Sequence, residues 1–476
     1  MNNMHRAATY GVAALAVALG GCSMAPTYVQ PYAPIPVQWK AADQATATGG
    51  ALALPVAELP GQSFVRDPEL RKILELSLQN NRNLRQAVLN VEAVRAQYRV
   101  QRAERLPGLD AQLNGSRQRS PADVAQAGVP GVHSVWQAGI GVTAFEVDLF
   151  GRVRSLSDAA LEEFLATGEA TRGVRISLMA EVIRVYLTRD SAMHRKRLTE
   201  QTLESRQASL RIVAKRREVG AATGLDYQEA LGLTKQAKAD LERIDRELRQ
   251  VGNALELLVG TDDIVLPITP SEAPLLIQDL GAGAPSDLLS RRPDILSAEH
   301  RLKASNASIG AARAAFFPRI SLTGLFGSSS PELSDLFSSG GRSWTFTPQV
   351  TLPIFDGGRN SANLDLATVR KDMAVAAYEE TVQTAFREVS DALAAVDTLR
   401  REETARKALA DSSQNALRMS EARWRAGVDD HLRYLDAQRS AFANQMASIE
   451  TSTEHQVALA TLFKTLGGEW YSGPQR

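Results

Sequence analysis

The sequence predicts an α+β membrane protein in which long coiled-coil helices alternate with two pairs of strands in a duplicated chain; three observations lead there. The first is where proline is missing. Twenty prolines in 476 residues place one about every 24, yet none stands between Pro130 and Pro267 or between Pro353 and Pro474. Proline removes a backbone donor and clashes with the preceding turn, so a continuous helix excludes it. Both stretches are rich in Ala, Leu, Arg, Glu and Gln, which favour helix. The second observation is a repeat. KRREVGAATGLDYQEA (215–230) matches ARWRAGVDDHLRYLDA (422–437), with Gly220 against Gly427, Leu225 against Leu432 and Ala230 against Ala437, each 207 positions apart. Gly151/Gly358, Arg152/Arg359, Leu255/Leu462 and Gly260/Gly467 keep the same offset. The third is that each half carries a pair of alternating segments before its long helix.

In chain order, residues 1–21 read as a secretory signal: His5 and Arg6 precede the apolar run YGVAALAVALGG, too short to span a bilayer. Cys22, the sole cysteine, excludes an internal disulfide or a thiolate metal cluster. Leu19, Gly20 and Gly21 before it resemble a lipobox, so S-diacylglycerol and N-acyl chains are expected on Cys22 as the first mature residue. Ser23 next to it suggests sorting to the outer membrane. Residues 22–65 are then a lipidated extended segment, whose PTYVQPYAPIPVQW tract (26–39) reads as a strap along the outside of the barrel described below.

The expected main domain runs over 66–470, in repeats of about 66–265 and 275–470, followed by a tail at 471–476. Strands are expected near 108–119, 134–149, 318–328 and 343–355, with helices elsewhere. In SWTFTPQVTLPI (343–354), Trp344, Phe346, Pro348, Val350, Leu352 and Ile354 alternate with Ser343, Thr345, Thr347, Gln349 and Thr351. WQAGIGVTA (136–144) alternates until its phase changes near Phe145, which suggests a bulge. In the second proline-free stretch Val375, Val382, Val389 and Val396 interleave with Tyr378, Ala385, Ala392 and Leu399, an a/d heptad over four repeats. A helix over about 360–425 would be roughly 100 Å long.

Ten of the 27 aromatic residues fall within 134–150 and 316–355, which suits the aromatic girdles of a membrane barrel better than a small soluble sheet. Beyond residue 21 no run of 18 apolar residues occurs, so any crossing is made by strands. Four strands cannot close a barrel, for which eight is the practical minimum, so several copies must share one.

Strand pair, long helices, strand pair, long helices, preceded by a lipobox: this order resembles the TolC-like outer membrane factor family, of the NodT and OprM lipoprotein type. The tract LLSRRPDILSAEHRLKASNASIGAARAAFFPRISLTGLFG (288–327) is similar to the family's RRPD segment, and LFKTLGGEW (462–470) to its helix end. The resemblance covers the chain from about residue 60 onward. It implies a homotrimer with a 12-stranded β-barrel in the outer membrane and a periplasmic α-barrel. It also implies an exit duct of a tripartite efflux pump, with a periplasmic adaptor protein and an inner-membrane RND-type transporter as partners. The glycine tracts would be helix-hairpin tips touching the adaptor through Arg216, Gly220, Arg423 and Gly427. LRYLDAQR (432–439) resembles the periplasmic gate, with Leu432, Asp436 and Arg439 on one helical face. Two departures bear on the gate's charge: Glu229 stands opposite Asp436 in the repeat, and Arg433 stands where some relatives carry a second gate Asp.

Other classes find little support. Lys and Arg total 54, as do Asp and Glu, so no overall field favours nucleic acid. The six histidines show no metal-ligand spacing, His300 and His431 read as surface residues, and neither a GxSxG nor a P-loop appears. No enzyme, cofactor or metal is therefore expected. RRPD can be structural, Pro293 opening a helix with Asp294 near its dipole. The alternatives are a type I secretion duct or a non-conducting, lipid-anchored coiled-coil scaffold.

Overall fold

The computed structural model describes residues 23–32, 64–120, 131–261, 264–271, 276–278 and 287–468; the signal segment, Cys22 and the tail lie outside them. The elements are α1 (Pro68–Asn80), α2 (Arg82–Ala103), β1 (Asp110–Ser120), β2 (Gly131–Val147), α3 (Arg152–Glu218), α4 (Gly224–Val259), a one-turn α5 (Asp287–Arg291), α6 (Pro293–Ala314), β3 (Arg319–Ser330), β4 (Arg342–Thr351), α7 (Arg359–Arg425) and α8 (His431–Thr465). Both α3 and α7 have 67 residues, and each begins and ends 207 positions from its counterpart, so the sequence repeat is a structural one. Three pairs of glycines at that spacing, 151/358, 220/427 and 260/467, all have φ between +70° and +87°.

The chain forms two compact units. The first holds the sheet, with the adjoining parts of α2, α3, α6 and α7. Its four strands form an antiparallel meander in the order β1-β2-β3-β4. Between Val142 and Phe145 the β2–β3 register shifts by one residue, and Ala144 takes φ +52°. This is the bulge that the phase change implied; it returns Phe145 and Val147 to the face of Ile140 and Val142. β2 starts earlier than expected, at Gly131, because its pairing with β1 runs to Ser120. β4 stops at Thr351 rather than 355, since Pro353 has no donor for the ladder. At the base of the sheet Glu146 accepts from Arg152 at 2.8 Å and pairs with Arg319 at 2.6 Å, joining β2, α3 and β3. The described part of the N-terminal strap lies along helices rather than strands: Asn306 of α6 donates to the Pro26 carbonyl at 2.7 Å, and Gln30 donates to the Tyr378 hydroxyl at 3.0 Å.

Among its described residues the second unit is mostly helical; in the connector after α4, where helix was expected, Pro267 and Pro270 exclude it, and Ile277 instead bridges Val65. α1 buries Leu70, Ile73 and Leu74, one face at helical spacing, each contributing about 1.5–3 kcal/mol. Phe64 stacks on Phe463 with ring centroids 4.5 Å apart. Along α7 the heptad positions Val382, Ala385, Val389, Ala392 and Val396 are buried, as the a/d pattern requires. The RRPD tract does more than start a helix. Arg292 is buried and donates to Asp294, to Glu388 of α7 at 2.8 Å and to the Thr465 carbonyl ending α8 at 3.0 Å. Its acidic partners are partly solvated, so Arg292→Ala is expected to cost about 2 kcal/mol. The thermal midpoint of the detergent-purified protein should fall; an unchanged midpoint would contradict this role.

Candidate functional site

Two regions hold the candidate functional residues: the faces of the sheet and the hairpin tips. In the sheet one face is apolar from edge to edge. Across the strands Ala111 opposes Ile140, Ile140 opposes Phe326, and Phe326 opposes Trp344; Val147, Ile320 and Val350 form another row. The opposite face reads Gln112, Gly139, Gly327, Ser343 and, further along, Glu146, Ser321, Gln349. In a water-soluble sheet the apolar face is covered. Here Ile140, Phe326, Trp344, Phe346 and Val350 are each 60–73% exposed. Strands β1 and β4 each pair on one side only among the described residues, leaving two open edges.

The tips are built alike. At the end of α3 the Ala221 amide donates to the Arg216 carbonyl and the Gly220 amide to the Arg217 carbonyl, with Gly220 at φ +74°. At the end of α7 Val428 donates to Arg423 and Gly427 to Trp424, with Gly427 at φ +70°. Both are Schellman endings, which need a left-handed residue and so favour glycine. The following helices are capped by Thr223 with Asp226 and by Asp430.

Charge separates the two tips. Arg423 donates both guanidinium bonds to Asp429, at 2.7 and 2.8 Å, so its head group is held within its own hairpin. Ala222 occupies the repeat position of Asp429, and Arg216 instead lies exposed over the Trp424 ring, 5.4 Å from its centroid. Arg433 leans toward Asp429 at 3.9 Å. On α8 Asp436 and Arg439 form an ion pair one turn apart and, with Leu432, lie exposed on one face.

Beneath them lies a cluster that sequence reasoning missed. Trp424, Tyr434 and Leu435 are buried together, the two rings stacked 4.9 Å apart, and the His431 ring sits 5.1 Å from Trp424. His431 is thus half-buried rather than a surface residue, because it opens the a/d face of α8, a periodicity readable in positions 431, 434, 438 and 441. His300 is likewise half-buried, 2.6 Å from Glu162.

Burial holds the His431 ring below the ordinary value of 6.5, against the pull of Asp226, Glu229 and Asp430 and with the push of Arg216. As pH falls through 6.5, a separated tip takes up a proton that the packed tip refuses, so packing weakens toward acid. Hydrogen-exchange protection of the tips should therefore drop between about pH 7 and pH 5.5. His431→Phe should lose that part of the decrease; an identical decrease in the variant would contradict it.

A sheet with a lipid-facing apolar side, a polar reverse and two open edges, joined to helices of 67 residues, defines the protomer of a shared outer-membrane channel. The family described as "Outer membrane efflux protein" matches residues 73–261 and 284–468, one match for each repeat. Outer membrane protein OprJ of Pseudomonas aeruginosa is 57% identical over 472 residues, 98% of each chain. The probable efflux pump outer membrane protein TtgC of Pseudomonas putida is 44% identical over 97% of this chain and 95% of its own. The open state of the MtrE outer membrane channel of Neisseria gonorrhoeae superposes with a TM-score of 0.85 at 36% identity, over 96% of this chain and all of that one. The chain belongs to the outer membrane efflux protein family, and its place is the outer membrane.

Proposed function

We propose that the chain is the exit duct of a tripartite efflux pump, a homotrimer that passively conducts small molecules from a periplasmic adaptor and an inner-membrane RND-type transporter to the exterior. The observation that carries this reading is the uncovered apolar face bounded by two open edges. A four-stranded meander alternates in direction, so β4 of one copy meets β1 of the next antiparallel and the ring closes without a mismatched pair. Three copies give twelve strands, lipid outside and the polar row of Gln112, Ser343 and Gln349 inside. The reading assigns Leu432, Asp436 and Arg439 to a periplasmic gate, and the tips at Gly220 and Gly427 to adaptor contact, with Arg216 the more available guanidinium. Planar-bilayer recording tests it: purified trimers should conduct, and trimers silent even with the gate side chains removed would contradict it.

The reading also includes acylation of Cys22 as a tether at the periplasmic leaflet of the outer membrane. Because strands do the spanning, Cys22→Ser should abolish acylation while the protein stays in the outer membrane. Metabolic labelling with a fatty acid and membrane fractionation check both parts, and release of the variant from membranes would contradict them.

A further inference from the structure

Resting on the reading that the apolar face of the sheet meets lipid, we infer that this face binds a bisphosphorylated glycolipid of the lipid A class, its phosphates on Arg117, Arg119 and Arg342 and its acyl chains in a furrow across β1, β2 and β3. The helices join the sheet at Asp110, Val147, Arg319 and Thr351, so Ser120, Gly131, Ser330 and Arg342 mark the end turned outward. Side chains alternate between the two faces along a strand, so Arg117 and Arg119 share the apolar face with Leu113. Arg342 joins them, because it pairs with Ser328, which pairs with Ala138, the partner of Leu113. All three are exposed, and none is in an ion pair with a described residue. Tryptophans gather at this depth. Trp344 is the next residue of β4 on that face, and the Trp136 ring lies over Gly115, where a Cβ would come within 2.4 Å of it. Tryptophan marks the edge of the hydrocarbon, and arginine on a lipid-facing strand is costly at the bilayer midplane but tolerated near the headgroups.

The furrow lies beside them. It has a volume of about 480 Å³ and is lined by the small Ala138 and Ser328 and by Leu113, Ile140, Phe326 and, from the loop after β3, Phe337. Leu113, Ala138 and Ser328 belong to the same cross-strand row as Arg342, so the groove for chains runs into the site for charge. Arg119 is as far from the helix end of β1 as Arg342 is from that of β4, which puts guanidinium at one depth on both edges of the sheet. The edge strands are three steps apart, roughly 14 Å, so a lipid with a single phosphate answers one edge, whereas a sugar headgroup phosphorylated at both ends answers two. In the shared barrel proposed above, β4 meets β1 of the next copy, and Arg342 then faces Arg119 of that copy. Like charges opposed across a strand pair repel, and a phosphate between them removes the repulsion.

The test is native mass spectrometry of full-length trimers in mild detergent, with bisphosphorylated lipid A, the same lipid stripped of its phosphates, or phosphatidylglycerol added. Wild type should retain bisphosphorylated lipid A in preference to the other two. The triple variant Arg117→Gln, Arg119→Gln and Arg342→Gln should retain about tenfold less of it. Lysine at the same three positions should keep most of the binding, because the charge stays, and trimer yield monitors folding of each variant. Ala138→Trp, which fills the furrow, should weaken retention with all three arginines in place. Trimers that hold the three lipids equally, or a Gln variant that binds lipid A as wild type does, overturn the site and leave the lipid-facing reading intact. Trimers that hold no lipid of any kind overturn the reading of the apolar face and the site with it.

Discussion

Asp436→Ala combined with Arg439→Ala is expected to raise the conductance of the reconstituted trimer several-fold and to lower its preference for cations. The reason lies in what the pair can and cannot do. Asp436 and Arg439 belong to one helix, and an exposed pair of this kind contributes only about 0.2–1 kcal/mol. It therefore orients two side chains within a protomer; it does not rivet one protomer to another. On the gate reading proposed above, closure would come from bulk and charge brought to the axis three times over, by Leu432, Asp436 and Arg439. The double substitution removes two of those side chains per protomer, among them the Asp436 carboxylate. The first hairpin offers no matching ion pair, since Gly232 stands at the position of Arg439 while Glu229 stands at that of Asp436. Asp436→Ala alone should give a smaller rise, because it leaves Arg439 projecting without its partner. Unchanged conductance in an intact double-variant trimer would remove the gate assignment and leave the fold untouched.

Phe346→Lys should prevent stable insertion, whereas Thr347→Lys, its neighbour in β4, should be tolerated. Phe346 opposes Gly324 on the apolar face, and Thr347 opposes Thr323 on the polar one. A lysine at mid-strand on a lipid face costs about 2–4 kcal/mol, and a threefold assembly incurs it three times, whereas the same charge on the lumen face remains hydrated. Heat-stable trimer on a gel from outer-membrane fractions reads the difference. Equal tolerance of the two lysines would mean that the apolar face does not meet lipid.

The fold was legible wherever a residue pattern repeats. Missing prolines marked α3 and α7, and the spacing of Gly220 and Gly427 marked the hairpins, because a Schellman ending has few alternatives to glycine. The bulge showed as a slipped alternation at Phe145. Strand ends were less legible: whether β2 begins at Gly131 depends on its pairing with β1, which no local pattern encodes. The parts of the site made by long-range contact were invisible. Arg292 looks like any arginine before a helix until Glu388 and the end of α8 arrive beside it. His431 looks like a tip residue until Trp424 and Tyr434 enclose it. Arg423 and Arg216 occupy matching repeat positions, yet Asp429 engages only the first.

The number of chains in one native particle decides whether the open sheet closes by sharing. Native mass spectrometry of the protein extracted from outer membranes in mild detergent should give three chains per particle and no stable single-chain species. A stable particle of one chain would contradict the shared barrel, because β1 and β4 would then face lipid with their edges unpaired.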